Sequence, residues 1–209
     1  MKQDARVGRE VGGKVTLYRT YYSHPRYTNY TWSRGGQTLA TTRVSDTTIQ
    51  LNIYGVVVED RGYNFTLDIG QFDRDRDTGR YSLRVCNPVG CDISTVELSV
   101  ARPPDEPTQF KVIDNETTSS VWLTWTPAFD GGYPQEFVLE YRKFGSTTWN
   151  VFSTYRDTGK VFVVEVNSLA PGETYVFRLH ARNAKYDPSR TAFVFLEAKT
   201  IGGSASGER

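Results

Sequence analysis

The stretch Asp77-Thr78-Gly79-Arg80-Tyr81-Ser82-Leu83-Arg84-Val85-Cys86 decides the fold class. Asp and Gly punctuate a turn, and then Tyr81, Leu83 and Val85 alternate with Ser82, Arg84 and Cys86. A period of two puts the two sets on opposite faces of one strand. The same design recurs downstream, where Leu169-Ala170-Pro171-Gly172-Glu173-Thr174 leads into Tyr175-Val176-Phe177-Arg178-Leu179. Working outward, short alternating runs appear at Val15 and Leu17, Tyr30 and Trp32, Ile49–Ile53, Phe65–Ile69, Val121–Trp125, Phe137–Tyr141, Val161–Val166 and Thr191–Leu196. No long run has the 3.6-residue period of a helix. Many short antiparallel strands, each with one wet face, predict an all-β chain built as β-sandwiches.

The pattern breaks at Ala101-Arg102-Pro103-Pro104-Asp105-Glu106-Pro107. Prolines at this density cannot sit in a central strand and favour a stiff, extended connector. The expected organisation is a sandwich over 1–101, a Pro-rich linker over 102–107, a second sandwich over 108–201 and a flexible tail over 202–209. A chain of 209 residues has room for two such domains.

Each half resembles a known family. Asp77-x-Gly79-x-Tyr81 is similar to the tyrosine corner of immunoglobulin domains, in which the Tyr hydroxyl bonds back to nearby backbone. Val15-Thr16-Leu17 then looks like strand B, Trp32 like the strand C tryptophan, and Leu83 stands where the family has its second core cysteine. The first would fall near Arg19 or Thr20, so the inter-sheet bridge is absent. Trp32 is expected to pack against Leu17, Leu67 and Leu83 instead. An inward Arg19 would bury a charge at high cost, so Thr20 is expected to face the core after a bulge. The 49 residues from Trp32 to Tyr81 leave room for additional strands of the C′ and C″ type. In the second half, Leu169-Ala170-Pro171-Gly172-Glu173-Thr174-Tyr175 resembles the fibronectin type III signature, with Trp125 and Tyr141 at that family's core positions. Phe129-Asp130-Gly131-Gly132-Tyr133-Pro134 resembles the B–C loops of fibronectin domains in nephrin-like and other neural or epithelial adhesion receptors.

Cys86 and Cys91 are the only cysteines, and they bracket Asn87-Pro88-Val89-Gly90. A four-residue turn sets them opposite each other on adjacent strands, at a separation that suits a disulfide. Asp73-Arg74-Asp75-Arg76-Asp77 reads as a solvated, self-screening loop rather than a calcium site, which would want acids without interleaved arginines. His24 falls in a loop and His180 at an outward strand position, neither beside a partner that would make it catalytic. No catalytic residue, metal or cofactor is expected. The 25 basic and 24 acidic residues divide as 13 against 11 in 1–101 and 12 against 13 in 102–209. Neither half is basic enough to favour nucleic acid.

Three glycosylation sequons begin at Asn29, Asn64 and Asn115. With the cysteine hairpin they favour an extracellular protein. No apolar run approaches the roughly 18–20 residues of a membrane span, so any anchor is expected outside this segment. The resemblance implies a recognition or spacer segment of a single-pass cell-surface adhesion or signalling receptor. Its partners would be other cell-surface or extracellular proteins, a second copy of the same protein included. A receptor kinase or phosphatase ectodomain and an intracellular sarcomeric module are the alternatives. The candidate binding face comprises Tyr30, Ser33, Arg84, Pro88 and Val89, with Pro88-Val89 as an exposed apolar tip.

Overall fold

The computed structural model describes residues 6–114, 117–186 and 192–203. Its chain divides into two compact units, residues 1–101 and 102–209. Asn115 and the tail beyond 203 lie outside the described residues.

The first unit runs β1 (Arg6–Arg9), β2 (Lys14–Tyr22), β3 (Asn29–Arg34), β4 (Gln37–Thr38), β5 (Thr42–Ile53), β6 (Val56–Gln71), α1 (Arg74–Asp77), β7 (Gly79–Cys86) and β8 (Cys91–Val100). Two sheets form, in the orders β1-β8-β7-β3-β4 and β2-β6-β5. Their inner faces enclose Trp32, Leu17, Leu67 and Leu83, as the alternation predicts, together with Phe65 and Leu98. The corner closes as expected, with the Tyr81 hydroxyl donating to the Asp77 carbonyl at 2.6 Å.

Three expectations for this unit need correction. Arg19, not Thr20, faces inward: β2 keeps its alternation through Val15, Leu17 and Arg19, with no bulge beside Arg19. The guanidinium donates to the Thr95 carbonyl of β8 at 2.6 Å and to the Tyr18 carbonyl at 3.2 Å. A buried charge is tolerated because it crosses from one sheet to the other and finds a carbonyl there. The charge run at 73–77 is a capped helical turn rather than a uniformly solvated loop. The Asp73 carboxylate accepts from the amides of Asp75 and Arg76, at 2.9 and 2.8 Å. Asp77 is buried, and the Arg76 guanidinium beside it holds its carboxyl below the usual carboxylate range.

Finally, the residues between Trp32 and Tyr81 do not build a full C′ and C″ pair. β4 has two residues, and the remaining length goes into the long β5–β6 hairpin. Tyr54 and Gly55 turn it, both with positive φ (50° and 86°). Two such residues make the tight turn whose twist matches that of the flanking strands.

The second unit runs β9 (Thr108–Asp114), β10 (Val121–Thr126), β11 (Gln135–Lys143), β12 (Asn150–Arg156), β13 (Phe162–Val166), β14 (Thr174–Asn183) and β15 (Val194–Lys199). The sheets are ordered β13-β10-β9 and β12-β11-β14-β15. Trp125 is fully buried and stacks on Phe162 at 4.8 Å, among Leu123, Phe137, Phe177 and Leu179. Tyr175 again closes a corner, its hydroxyl accepting from the Ala170 amide at 2.9 Å. The proline-rich segment is tied into this unit rather than free. The Arg102 amide donates to the Gly131 carbonyl and the Asp105 amide to the Phe129 carbonyl. Pro104 and Pro107 are buried.

Candidate functional site

The β7–β8 hairpin follows from its sequence. Antiparallel pairing continues to Cys86 opposite Cys91, and the two sulfurs are bonded. Asn87 organises the turn, its side-chain oxygen accepting from the amides of Val89 and Gly90 at 2.9 and 3.0 Å. Its side-chain nitrogen donates to the Pro25 carbonyl at 3.2 Å and to the Ser23 hydroxyl at 3.3 Å, fastening the tip to the loop before β3. Pro88 and Val89 project into solvent, Val89 with 82% of its surface exposed.

The predicted binding residues do not all share this surface. Ser33 pairs with Ser82, and exposed Arg84 pairs with Thr31, along the outer face of β3 and β7. Arg84 also reaches the Cys91 sulfur at 3.3 Å. Tyr30 pairs with Val85 on the inner face and packs against Phe65, with ring centroids 4.9 Å apart. It belongs to the core, which its spacing of two from Trp32 already encoded. Asn29 is exposed and sits opposite Cys86 at the hairpin base. Asn64 is half-buried in β6, its side-chain oxygen accepting the Thr20 hydroxyl at 2.6 Å.

His180 corrects a further expectation. It does hold an outward position on β14, yet it is buried. Phe193 covers it, with ring centroids 4.5 Å apart. Arg178 stacks on the same ring at 4.5 Å and on Trp149 at 4.2 Å, while its guanidinium grips both Glu140 oxygens at 2.7 and 3.0 Å. Burial pushes the His180 pKa down; Arg182 and Arg178 add to the shift and Glu140 opposes it. With a folded pKa below the ordinary 6.5, the unfolded chain binds the proton more readily. The stability contributed by neutral His180 is therefore complete above pH 6.5 and is lost as the pH falls toward the folded pKa. Urea unfolding between pH 7.5 and 5 should show this loss, and His180→Phe should flatten that part of the profile. An unchanged slope in the variant would place the pH dependence elsewhere.

Among the described residues, no cluster of His, Cys, Asp and Glu could hold a metal ion. No described helix is long and apolar enough to cross a membrane. The candidate site is thus an exposed face of strands and a pinned hairpin tip.

The family model for the fibronectin type III domain matches residues 105–195. The matched residues all fall in the second unit, which is thus similar to a fibronectin type III domain. The Leu169–Tyr175 corner and buried Trp125 lie within the matched residues and serve the core there. Relatives extend the similarity into the first, immunoglobulin-like unit. Human nephrin is 26% identical over 163 residues, 78% of this chain and 11% of nephrin. Chicken fast-type myosin-binding protein C is 32% identical over 177 residues, 83% of this chain and 14% of that protein. The human cell adhesion molecule DSCAM is 32% identical over 127 residues, 60% of this chain and 6% of that protein. The chain thus spans a small part of each relative's length. Modules of this kind occur both in adhesion proteins and in a myosin-binding protein.

Proposed function

We propose that this chain is a non-catalytic recognition and spacer segment of an extracellular, single-pass adhesion receptor, making protein–protein contacts. The observation that carries this reading is the closed Cys86–Cys91 bond at the hairpin tip, because such bonds persist in oxidising compartments and are rare in the cytosol. Similarity to nephrin and DSCAM supports it. The partner would meet the apolar Pro88-Val89 tip and neighbouring Arg84. The second reading, an intracellular sarcomeric module, is favoured by the resemblance to myosin-binding protein C and by Arg19 near the missing core cysteine.

Secretion from an animal cell line separates the two. Intact-mass and glycopeptide analysis should find Cys86 and Cys91 oxidised and a glycan on Asn29. Asn64, half-buried and holding the Thr20 hydroxyl, should be occupied less. Free thiols together with an unmodified Asn29 in secreted material would overturn the extracellular reading.

A further inference from the structure

The β5–β6 hairpin outruns its sheet. β2 pairs with β6 only as far as Tyr22 opposite Gly62, whereas β5 and β6 continue pairing to Ile53 opposite Val56. Beyond Gly62 the hairpin is therefore a two-stranded ribbon. Such ribbons are marginal alone, and a third strand or more is needed for independent stability. Ile49, Leu51, Ile53, Val56 and Val58 share one face of it by register, and Tyr54 at the turn is fully exposed.

The two open edges of the ribbon differ. The β6 edge carries Glu59-Asp60-Arg61, charges of the kind that discourage strand addition. The β5 edge presents Thr47-Thr48-Ile49-Gln50-Leu51-Asn52-Ile53, with no charge, proline or glycine. Its pairing with β6 runs over twelve residues without a register shift, so no bulge turns this edge away. The nearest charges, Arg43 and Asp46, are engaged by Asp68 and Arg61.

This edge is also complementary to itself. In antiparallel register about Gln50, Ile49 meets Leu51 of a second copy, Thr48 meets Asn52 and Thr47 meets Ile53. On one face Ile49 then adjoins Leu51 while the Thr47 methyl group lies against Ile53, on the other Thr48 meets Asn52 and Gln50 meets its own copy, and no like charges oppose each other.

We propose that β5 is a self-association edge, through which two copies join β5 to β5 about a two-fold axis at Gln50. This goes beyond the recognition reading above: the contact is a second one, apart from the Pro88-Val89 tip, and its partner is another copy of the chain. Main-chain hydrogen bonds supply the attraction, as in strand addition generally. The ribbon changes from two strands to four across the axis. An isologous contact that uses the unguarded edge of each copy closes on itself, so assembly stops at the dimer. A single strand edge is small beside the ~1,600 Å² of an ordinary stable interface, so the expected dimer is a weak, concentration-dependent one.

Sedimentation velocity over a micromolar to sub-millimolar series tests this. The wild-type chain should dimerise. Gln50→Lys and Gln50→Glu each set like charges together on the axis, and each should weaken the dimer about tenfold or more. An equimolar mixture of the two variants should dimerise again, which a misfolded variant could not do. A wild-type chain that is monomeric throughout, grows without limit, or keeps its dimer in both variants would overturn the proposal. Val89→Asp serves as the comparison. Loss of the dimer there but not in the Gln50 variants would assign the contact to the hairpin tip instead.

Discussion

Arg19→Ala should lower the unfolding free energy of the first unit by about 3 kcal/mol, from a lost charge-assisted hydrogen bond of about 1.5–3 kcal/mol and a core cavity. Relief of the desolvated charge offsets part of this. The magnitude is large because Arg19 is 6% exposed and joins β2 to the Thr95 carbonyl of β8 across the sandwich, in a unit without a core disulfide. Arg19→Met keeps most of the volume and removes the charge, so it should cost less than alanine. Hydrogen-exchange mass spectrometry of the whole chain reports the effect locally, through amides of β2, β7 and β8. Equal protection in wild type and Arg19→Ala would mean that the guanidinium contributes nothing to holding the sheets together.

Gly131→Ala should destabilise the second unit by about 3 kcal/mol, through strain at positive φ and a backbone collision. Gly131 has φ +75°, and a Cβ there would overlap the carbonyl oxygen of Arg102. That carbonyl cannot simply retreat, because the Arg102 amide donates to the Gly131 carbonyl and the Asp105 amide to the Phe129 carbonyl. The strand-entry segment would have to lift from the β10–β11 loop. Gly145→Ala is the comparison: its φ is +83° but nothing lies within 4 Å of the added Cβ, so it pays strain alone, about 1 kcal/mol. Thermal unfolding and exchange at the Arg102 and Asp105 amides check both variants. Equal losses in the two would remove the collision from the explanation.

Much of this molecule is legible in short-range pattern. The corners at Tyr81 and Tyr175, the strands they open and the Cys86–Cys91 hairpin each depend on neighbours a few residues apart, and the alternation within their own strands sets the inward parity of Trp32 and Trp125. The Tyr54-Gly55 turn was also locally encoded, between the alternating run ending at Ile53 and the valines from Val56, although the length of Trp32–Tyr81 pointed to extra strands. Inward Arg19 had no comparable local signal. Its acceptor, Thr95, lies 76 residues away, and only the closed sandwich brings a carbonyl to the guanidinium. His180 is similar: parity alone put it outside, and Phe193 from beyond β14 covers it.

The sequence by itself therefore determined the all-β class, the inward face of most strands and the oxidisable hairpin. These follow from a side-chain period of two and from turn chemistry acting within a few residues. Only the tertiary structure decided that a charge could bridge the first core, that the proline segment is hydrogen-bonded into the second unit, and that β5 outruns its sheet with an unguarded edge. Each of those depends on which backbone groups distant segments leave paired or open, and the packing of whole sheets sets that.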